Sequence, residues 1–193
     1  MNNDRLPASL RAEIRVNLFS WGANNKRSFP WRRGLPFWQG LVVECMLQRT
    51  RADQVSPVFE QLMSTFPTLK SLRSAKDSDL HAILTPLALQ WRIRNVVDLL
   101  RVLSNRNGRI KKTIEDLKKL PGVGDYSAAA ALTFYGGQKA TIIDANTVRV
   151  RARIVGEKFG PETRRKSCPR ISARLDSHID SHPRWTVAVN SSL

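Results

Sequence analysis

Apolar residues recur along most of the chain with the period of an amphipathic helix. In the segment 7–22, Leu10, Ile14 and Leu18 follow one another at four-residue spacing after Pro7, a residue that the first turn of a helix accepts. No segment shows the strict two-residue alternation of a half-buried strand. The chain is therefore predicted to be all-α, with helices over 7–22, 37–49, 52–66, 77–84, 91–103, 114–120, 126–134 and 145–155.

Capping residues set several of the predicted helix ends. Asp77 or Asp79 is predicted to cap the short fourth helix, and Thr113 is predicted to cap the helix over 114–120. Asp144 is predicted to cap the last helix, with Gly156 just beyond its end. The stretch between the first two helices is irregular, because it contains two prolines and a glycine.

The charge balance indicates the partner. The 193 residues include 32 Lys and Arg against 16 Asp and Glu, a net charge of +16, and the calculated pI is about 11.0. Nucleic acid is the commonest partner of so basic a protein, and an anionic membrane surface is the alternative. No apolar run approaches the roughly 20 residues of a membrane span, and the start of the chain has no signal-peptide core. We expect an intracellular protein that does not enter membranes.

Cysteine usage gives no indication of a metal site. The two cysteines, Cys45 and Cys168, are far apart, and no C-x-x-C pair is present. Two thiols alone cannot hold a metal cluster, so we expect buried thiols and no metal site.

The first motif that carries chemistry is the turn Leu120-Pro121-Gly122-Val123-Gly124 between two predicted helices. Glycines two residues apart allow backbone N–H groups at a helix N-terminus to point outward together, an arrangement that binds phosphate. An ordinary tight turn between helices is the alternative, and the glycines alone do not decide between the two.

The second motif is Asp144, 22 residues after Gly122. Taken alone, an aspartate at this position is better explained as a helix cap without any catalytic role, because caps outnumber active-site carboxylates.

Taken together, these motifs resemble a known family. Residues 120–153 are similar to the helix-hairpin-helix, Gly/Pro-rich loop and aspartate signature of the endonuclease III superfamily of DNA glycosylases. Residues 43–50, 29–32 and 86–92 also resemble segments of that group, so that the resemblance extends over about residues 27–156. The thymine-mismatch members are the ones that the chain resembles most.

The resemblance implies a fold and its division. A six-helix domain with the DNA-binding hairpin would span residues 27–140. A second helical domain would combine residues 1–26 with 141–193 and carry the catalytic aspartate at the cleft. Double-stranded DNA with a mismatched or damaged base would lie across that cleft, bound by a monomer.

The resemblance also implies residue roles. Glycosidic bond cleavage builds positive charge on the sugar, which a carboxylate stabilises, and the resemblance gives this role to Asp144. Glu44 matches a pocket glutamate that assists the departing base, although a glutamate on the helix surface is the alternative. Tyr126 stands where many strand-cleaving relatives carry a lysine, and a phenol cannot form their Schiff base. Packing in the helix is the alternative for Tyr126.

The remaining matched residues are predicted to contact DNA. Gln48, Arg49 and Leu89 correspond to loops that fill the vacated base stack, with surface polar residues and a core leucine as alternatives. The hairpin residues Gly122, Val123 and Gly124 would bind the backbone. Basic residues of the tail are expected to add further contacts, with a solvated face as the alternative: Arg164, Arg165, Lys166, Arg170 and Arg174.

The chain departs from the family at its iron–sulfur cluster. Such a cluster takes four thiolates and the sequence has two cysteines, so we expect no cofactor in this chain. The segment 185–193 resembles the helix that normally leads towards the cluster, so the chain is either cut short or a cluster-free variant.

The expected activity is monofunctional base excision of thymine or uracil opposite guanine. Asp144-Ala145-Asn146 with Arg149-Val150 resembles the thymine-mismatch enzymes, and the sequence has no additional C-terminal domain like that of adenine-removing relatives. Met46-Leu47-Gln48 is closer to the adenine enzymes, so adenine removal opposite guanine or oxidised guanine is the alternative. A catalytically silent DNA-binding module is the alternative outside the enzymes.

Overall fold

The structure is a computed structural model that describes residues 7–156, apart from the side chains of residues 151 and 155. Within that range it contains nine α-helices, two short 3₁₀ turns and no strand. The prediction of an all-α fold is confirmed. Cys168 and the basic residues predicted to contact DNA beyond position 156 lie outside the described residues.

Two compact units divide the chain. Residues 28–138 form one unit, and the other combines the segments on either side of it, up to residue 27 and from residue 139 onwards. The second unit contains two of the described helices, α1 (Ala8–Asn25) and α9 (Ala145–Val155).

The unit of residues 28–138 contains seven α-helices, one more than the predicted six. In chain order they are α2 (Phe37–Met46), α3 (Ala52–Thr65), α4 (Leu69–Ser74), α5 (Asp77–Leu84), α6 (Gln90–Asn105), α7 (Ile114–Leu117) and α8 (Asp125–Phe134). The 3₁₀ turns are Pro30–Arg32, before α2, and Thr85–Leu87, before α6.

Helix α2 lies at the centre of this unit. Every residue from Gly40 to Met46 is buried, and the helix packs against α3, α6 and α8. Because neighbouring helices cover this part of α2, it has no solvent-facing side. Its sequence therefore shows no polar stripe. Helix α8 presents the small side chains of Ala128 to Ala131, all of them buried, which lets two helix backbones pack closely.

The helix ends show where the capping predictions succeed and fail. Thr113 accepts a hydrogen bond from Asp116 N, as predicted for a cap. The predicted cap of α5 is wrong: Lys76 occupies the N-cap position without a side-chain bond. Asp77 instead accepts from the Arg101 guanidinium, whose positive charge competes with the helix end for this carboxylate. The sequence pattern also missed α4, which has only six residues and a Thr68–Ser71 capping box.

Candidate active site

A glutamate lies inside the apolar core of the unit of residues 28–138. Glu44 is on α2 and only 4% exposed, and Leu41, Val42, Val43 and Met46 around it are completely buried. Burial raises the pKa of Glu44 to about 7, because the ionised carboxylate loses its hydration in such surroundings. The alternative of a surface glutamate is therefore wrong. Near neutral pH this carboxyl group can exist with or without its proton.

One side chain from α8's C-terminal end satisfies this carboxyl group. The Tyr135 hydroxyl donates a hydrogen bond to Glu44 Oε1 at 3.3 Å, and this bond lowers the pKa of Glu44 against the larger effect of burial. The ring of Tyr135 lies directly over Gly40, where an added Cβ would come within 2.2 Å of Tyr135 Cγ. Gly40 is thus the gap in α2 that the tyrosine ring fills, one helical turn before Glu44.

Tyr126 lies in the same neighbourhood. It is half-buried in the first turn of α8. Burial raises the pKa of Tyr135 above its usual range, and Glu44 and Tyr126 raise it further, whereas the guanidinium of Arg32 lowers it. Tyr126 and Arg32 are therefore electrostatic neighbours of Tyr135, the residue that contacts the buried carboxyl group of Glu44. Of these residues, only Glu44 and Tyr126 have catalytic roles predicted from the sequence.

The predicted hairpin consists of α7, the turn 120–124 and α8. Gly122 has a φ of +70°, and an added Cβ there would lie 2.8 Å from Asn95 Cβ, so only glycine fits without strain. Gly124 is the N-cap of α8, its side has open space, and no side-chain hydrogen bond caps the helix start. Backbone N–H groups at such an uncapped start can bind an anion.

Val123 differs from its two glycine neighbours. Its side chain is 7% exposed and its N–H donates to Leu120 O at 3.2 Å. Both groups of Val123 are therefore used inside the protein, whereas Gly122 is half-buried and Gly124 is exposed.

Gln48 joins the end of α2 to this hairpin. Its Nε2 donates to Gly122 O at 2.8 Å and to Ser127 Oγ at 3.0 Å, and Cys45 Sγ lies 3.6 Å from the same carbonyl. The amide that was predicted to meet DNA is thus half-buried and occupied within the protein. Both Nε2 hydrogens are used by these two acceptors, so Gln48 could donate to DNA only by releasing one of them.

Arg49 and Leu89 are placed differently from Gln48. Arg49 is exposed, and Leu89 is 36% exposed at the N-cap of α6. The alternative of a core leucine is therefore wrong, and both side chains are accessible to a partner.

Asp144 belongs to the other unit. It is the N-cap of α9: Oδ1 accepts from Thr147 N at 2.7 Å and from Asn146 N at 3.1 Å. Oδ2 accepts from the Asn146 side-chain amide at 3.1 Å. The predicted capping role is confirmed, and Gly156 ends the helix in the left-handed conformation as expected. Three N–H donors fix the orientation of a carboxylate that is still half-exposed.

The described residues offer no ligand set for a metal ion. Residues 7–156 contain no cluster of three or more His, Cys, Asp or Glu side chains that could hold one. The cysteine in this range, Cys45, is buried in α2, and burial raises the pKa of its thiol to about 12, which disfavours the thiolate that a metal needs. Within the same range no helix is long and apolar enough to cross a membrane.

Comparison with curated proteins finds DNA glycosylases. A thymine-DNA glycosylase of Aeropyrum pernix is 32% identical over 148 residues, which cover 75% of this chain and 66% of that protein. A thymine/uracil-DNA glycosylase of Pyrobaculum aerophilum is 32% identical over 165 residues, or 82% of this chain and 70% of that protein. An adenine DNA glycosylase of Mycobacterium tuberculosis is 32% identical over 179 residues, or 90% of this chain and 58% of that protein. No protein-family model matches the chain.

Solved structures show the same fold at lower identity. A thermostable thymine-DNA glycosylase superposes with a TM-score of 0.66 at 23% identity, covering 94% of this chain and 77% of the other. Endonuclease III in a non-covalent complex with DNA gives a TM-score of 0.71 at 18% identity, covering 97% and 85%.

Proposed function

The chain belongs to the helix-hairpin-helix superfamily of DNA glycosylases, and we propose that it hydrolyses the N-glycosidic bond of a mismatched base flipped out of duplex DNA. The preferred target is thymine or uracil opposite guanine. The observation that carries the proposal is Glu44, a carboxyl group buried in the core with a pKa of about 7. A protein that only bound DNA would have no use for so unfavourable a group.

Glu44 is proposed to act as the acid for the departing base. A thymine or uracil that leaves takes the bonding electrons and becomes an anion, which a proton or a strong hydrogen bond stabilises. A carboxyl group with a pKa near 7 still holds a proton at neutral pH and gives it up readily. Tyr135 supports this group by holding its Oε1 in place.

Asp144 is proposed to stabilise the sugar. The ring gains positive charge as the bond breaks, and a fixed negative charge beneath it lowers the barrier. The N–H groups of Asn146 and Thr147 hold the carboxylate in one orientation, so little reorganisation is needed in the transition state. The same carboxylate can orient the attacking water.

Strand cleavage is not expected to accompany base release. It requires an amine that attacks the sugar and forms a Schiff base, and Tyr126 has a phenol instead. We therefore propose a monofunctional enzyme. The same reaction run with borohydride should trap no covalent complex.

Binding to DNA is proposed to rest on charge and on the hairpin. A net charge of +16 attracts the phosphate backbone, and the uncapped start of α8 at Gly124 offers N–H groups to one phosphate. Affinity should then fall linearly with salt on logarithmic axes, with a slope of about −0.9 for each phosphate contacted. The proposed protein is an intracellular monomer that acts on double-stranded DNA.

An iron–sulfur cluster does not fit these residues. It needs four thiolates, the whole chain has two cysteines, and one of them is buried in α2. We propose that the chain works without a cluster, so that purified protein should be colourless and free of iron.

The test is single-turnover base release from a panel of duplexes with T·G, U·G, A·G or A opposite oxidised guanine. Products are treated with alkali and separated on a gel. The proposal expects release from T·G and U·G to be fastest and Glu44→Gln to slow it, while Glu60→Gln, an exposed glutamate on α3, leaves it unchanged. No release from any duplex would favour a silent DNA-binding module.

Adenine removal is the second candidate. It is supported by the 32% identity to the mycobacterial adenine DNA glycosylase over 179 residues. Faster release from the A-containing duplexes than from T·G and U·G would establish this candidate in place of the first.

A further inference from the structure

Arg92 is a buried guanidinium that joins two loops. It lies in the first turn of α6, is 1% exposed, and donates from Nη1 to Gln48 O and from Nη2 to Leu87 O. Gln48 belongs to the loop between α2 and α3, and Leu87 ends the 3₁₀ turn before α6. One planar group thus fixes the positions of two carbonyl groups that are 39 residues apart in the sequence.

The residue after each of these carbonyls has an unusual backbone. Arg49 has a φ of +54° and Ala88 a φ of +68°, and among the described residues only one other non-glycine residue, Asn107, has a positive φ. Side chains with a Cβ adopt this region at a cost in energy, so the surrounding structure must enforce it. The two hydrogen bonds from Arg92 hold the peptide groups immediately before Arg49 and Ala88.

The two bends lead to accessible side chains. Arg49 is itself exposed, and Leu89 follows Ala88 with 36% of its surface exposed. Both are side chains for which the sequence predicts contact with DNA at the position of the extruded base.

Burying the charged guanidinium of Arg92 has a high free-energy cost for a contact that serves only to hold the fold. No carboxylate among residues 7–156 pairs with Arg92, its Nε has no hydrogen-bond partner, and burial lowers the pKa of its guanidinium. A buried charge is costly without a counter-ion, and a neutral side chain could close either loop separately. What only a rigid guanidinium supplies is a fixed spacing between two acceptors.

We propose that Arg92 is a positioning residue for base extrusion. By holding the carbonyls of Gln48 and Leu87, it sets the spacing between the bends that present Arg49 and Leu89 to the duplex. The occupant of this surface is a DNA duplex at a mispaired base, whose vacated stack the two side chains enter. The inference rests on the proposed function and extends it from the bond-breaking residues to the step that exposes the base.

The experiment compares two duplexes that differ only in the cost of extrusion. Both contain the same target thymine, opposite guanine in one and opposite an abasic site in the other, where there is no base to unpair. Single-turnover release is measured for the unaltered protein, Arg92→Met and Arg92→Lys. A 2-aminopurine beside the target reports extrusion by its fluorescence, independently of bond cleavage.

The control variant is Arg73→Met. Arg73 also ties two segments together through a carbonyl, by donating to Ser104 O at 2.7 Å, but its contacts lie on α4 and α6 away from both bends. It should behave like the unaltered protein on both duplexes after thermal unfolding has verified its fold.

Arg92→Met should slow release from the T·G duplex about tenfold or more, since small misplacements at a reacting site have effects of that size. The loss should be much smaller on the abasic duplex, and the fluorescence rise should fall in parallel with the T·G rate. Arg92→Lys should show the same dependence on the duplex, because one ammonium group lacks the rigid fork. If Arg92→Met does not fold, the lysine variant carries the comparison.

An equal loss on both duplexes, or an unchanged fluorescence rise, would overturn the proposal and leave Arg92 a structural residue. A second check uses Leu89→Ala: its effect on extrusion should shrink when Arg92 is already replaced, whereas independent residues give additive losses. If the unaltered protein releases thymine from neither duplex, the proposed function is refuted instead. The 2-aminopurine fluorescence would still test whether Arg92 affects extrusion of the base.

Discussion

The hydroxyl of Tyr135 donates to Glu44 Oε1 across the interface of α2 and α8, and the ring reaches it because position 40 has no side chain. The buried carboxyl group of Glu44 therefore has a fixed hydrogen-bond donor in surroundings dominated by apolar side chains. Burial raises the pKa of Glu44 to about 7, and the bond from Tyr135 limits this increase.

Replacing Tyr135 by phenylalanine removes the bond and leaves the ring. Because the bond stabilises the ionised carboxylate, its loss should raise the pKa of Glu44 above 7. If the protonated form is the active one, the rate of base release should persist to higher pH in Tyr135→Phe than in the unaltered protein. The measurement is the single-turnover rate between pH 5.5 and 9, a range chosen around the pKa of about 7. A basic limb that moves to lower pH would contradict this assignment.

Gly40→Ala provides an independent check on the same contact. A Cβ at position 40 would lie within 2.2 Å of Tyr135 Cγ, so the ring must move away from α2. The variant should shift the pH profile in the same direction as Tyr135→Phe and lose stability as well.

Glu44→Gln should make the stability less dependent on pH. The folded-state pKa of Glu44 is raised from 4.5 to about 7. The protonated carboxyl group therefore contributes fully to the free energy of unfolding below pH 4.5, and this contribution is lost as the pH rises towards 7. By linkage the loss is about 3 kcal/mol, since each pKa unit corresponds to about 1.4 kcal/mol. Glutamine keeps a polar partner for Tyr135 and never ionises.

The measurement is the free energy of unfolding by urea at pH 5 and pH 8, on either side of the pKa of about 7. Glu44→Gln should be close to the unaltered protein at the lower pH and clearly more stable at the higher one. Glu60→Gln should follow the unaltered protein at both. Equal free energies of unfolding for the unaltered protein and Glu44→Gln at pH 8 would show that the folded protein bears no cost for the ionised carboxylate of Glu44.

The sequence predicted the parts of this site that depend on local pattern. Glu44 stands among apolar residues on every side of one helix, which indicates burial without any tertiary information. Thr113 and Asp144 were recognised as caps because capping depends on residues three positions away.

The parts that were missed depend on packing between distant residues. Tyr135 and Glu44 are 91 residues apart and meet only because α8 packs on α2. The available signal was Gly40, an isolated glycine in a helix of large apolar residues, which indicates close approach by another group. Asp77 failed as a cap for a similar reason, since Arg101, 24 residues away, takes its carboxylate.

Ala88→Gly should stabilise the protein. Ala88 has a φ of +68°, which glycine adopts without steric cost. The gain should be up to about 1 kcal/mol, because the relief of strain exceeds the added entropy of the unfolded chain. Ala82→Gly, at an exposed position inside α5, is the matched control and should destabilise by roughly 0.5–1 kcal/mol. Thermal unfolding of both variants measures the difference, and a lower midpoint for Ala88→Gly would show that the bend is not strained.

The two hairpin glycines should respond differently to alanine. Gly124 has open space on its side and an ordinary φ, so Gly124→Ala should fold normally. It should weaken binding to all DNA sequences alike, because the methyl group would stand at the proposed phosphate contact. Gly122→Ala meets Asn95 Cβ and an unfavourable φ, so it should lose stability first. Fluorescence anisotropy on matched and mismatched duplexes, alongside thermal unfolding, separates the two effects. Undiminished binding by a folded Gly124→Ala would remove the hairpin from the DNA interface.

Asp144→Asn should abolish base release and preserve the fold. The asparagine oxygen can still accept from Asn146 N and Thr147 N, as Oδ1 does now, so the cap of α9 is retained. The amide group would face the Asn146 amide, which can rotate to offer its oxygen instead of its nitrogen. What is lost is the negative charge, and removing one such electrostatic contribution typically costs about a hundredfold or more in rate.

The cap and the charge can be separated by two further variants. Asp144→Ser keeps a good N-cap without any charge and should be as inactive as Asp144→Asn. Thr68→Ala removes the cap of α4, lowers stability by about 1 kcal/mol, and should release bases at the unaltered rate. Single-turnover rates and the Kd for DNA are measured separately for each, because a loss of rate with an unchanged Kd identifies a charge that acts in the transition state. Near-normal turnover by the folded asparagine or serine variant would leave Asp144 a helix cap and nothing more.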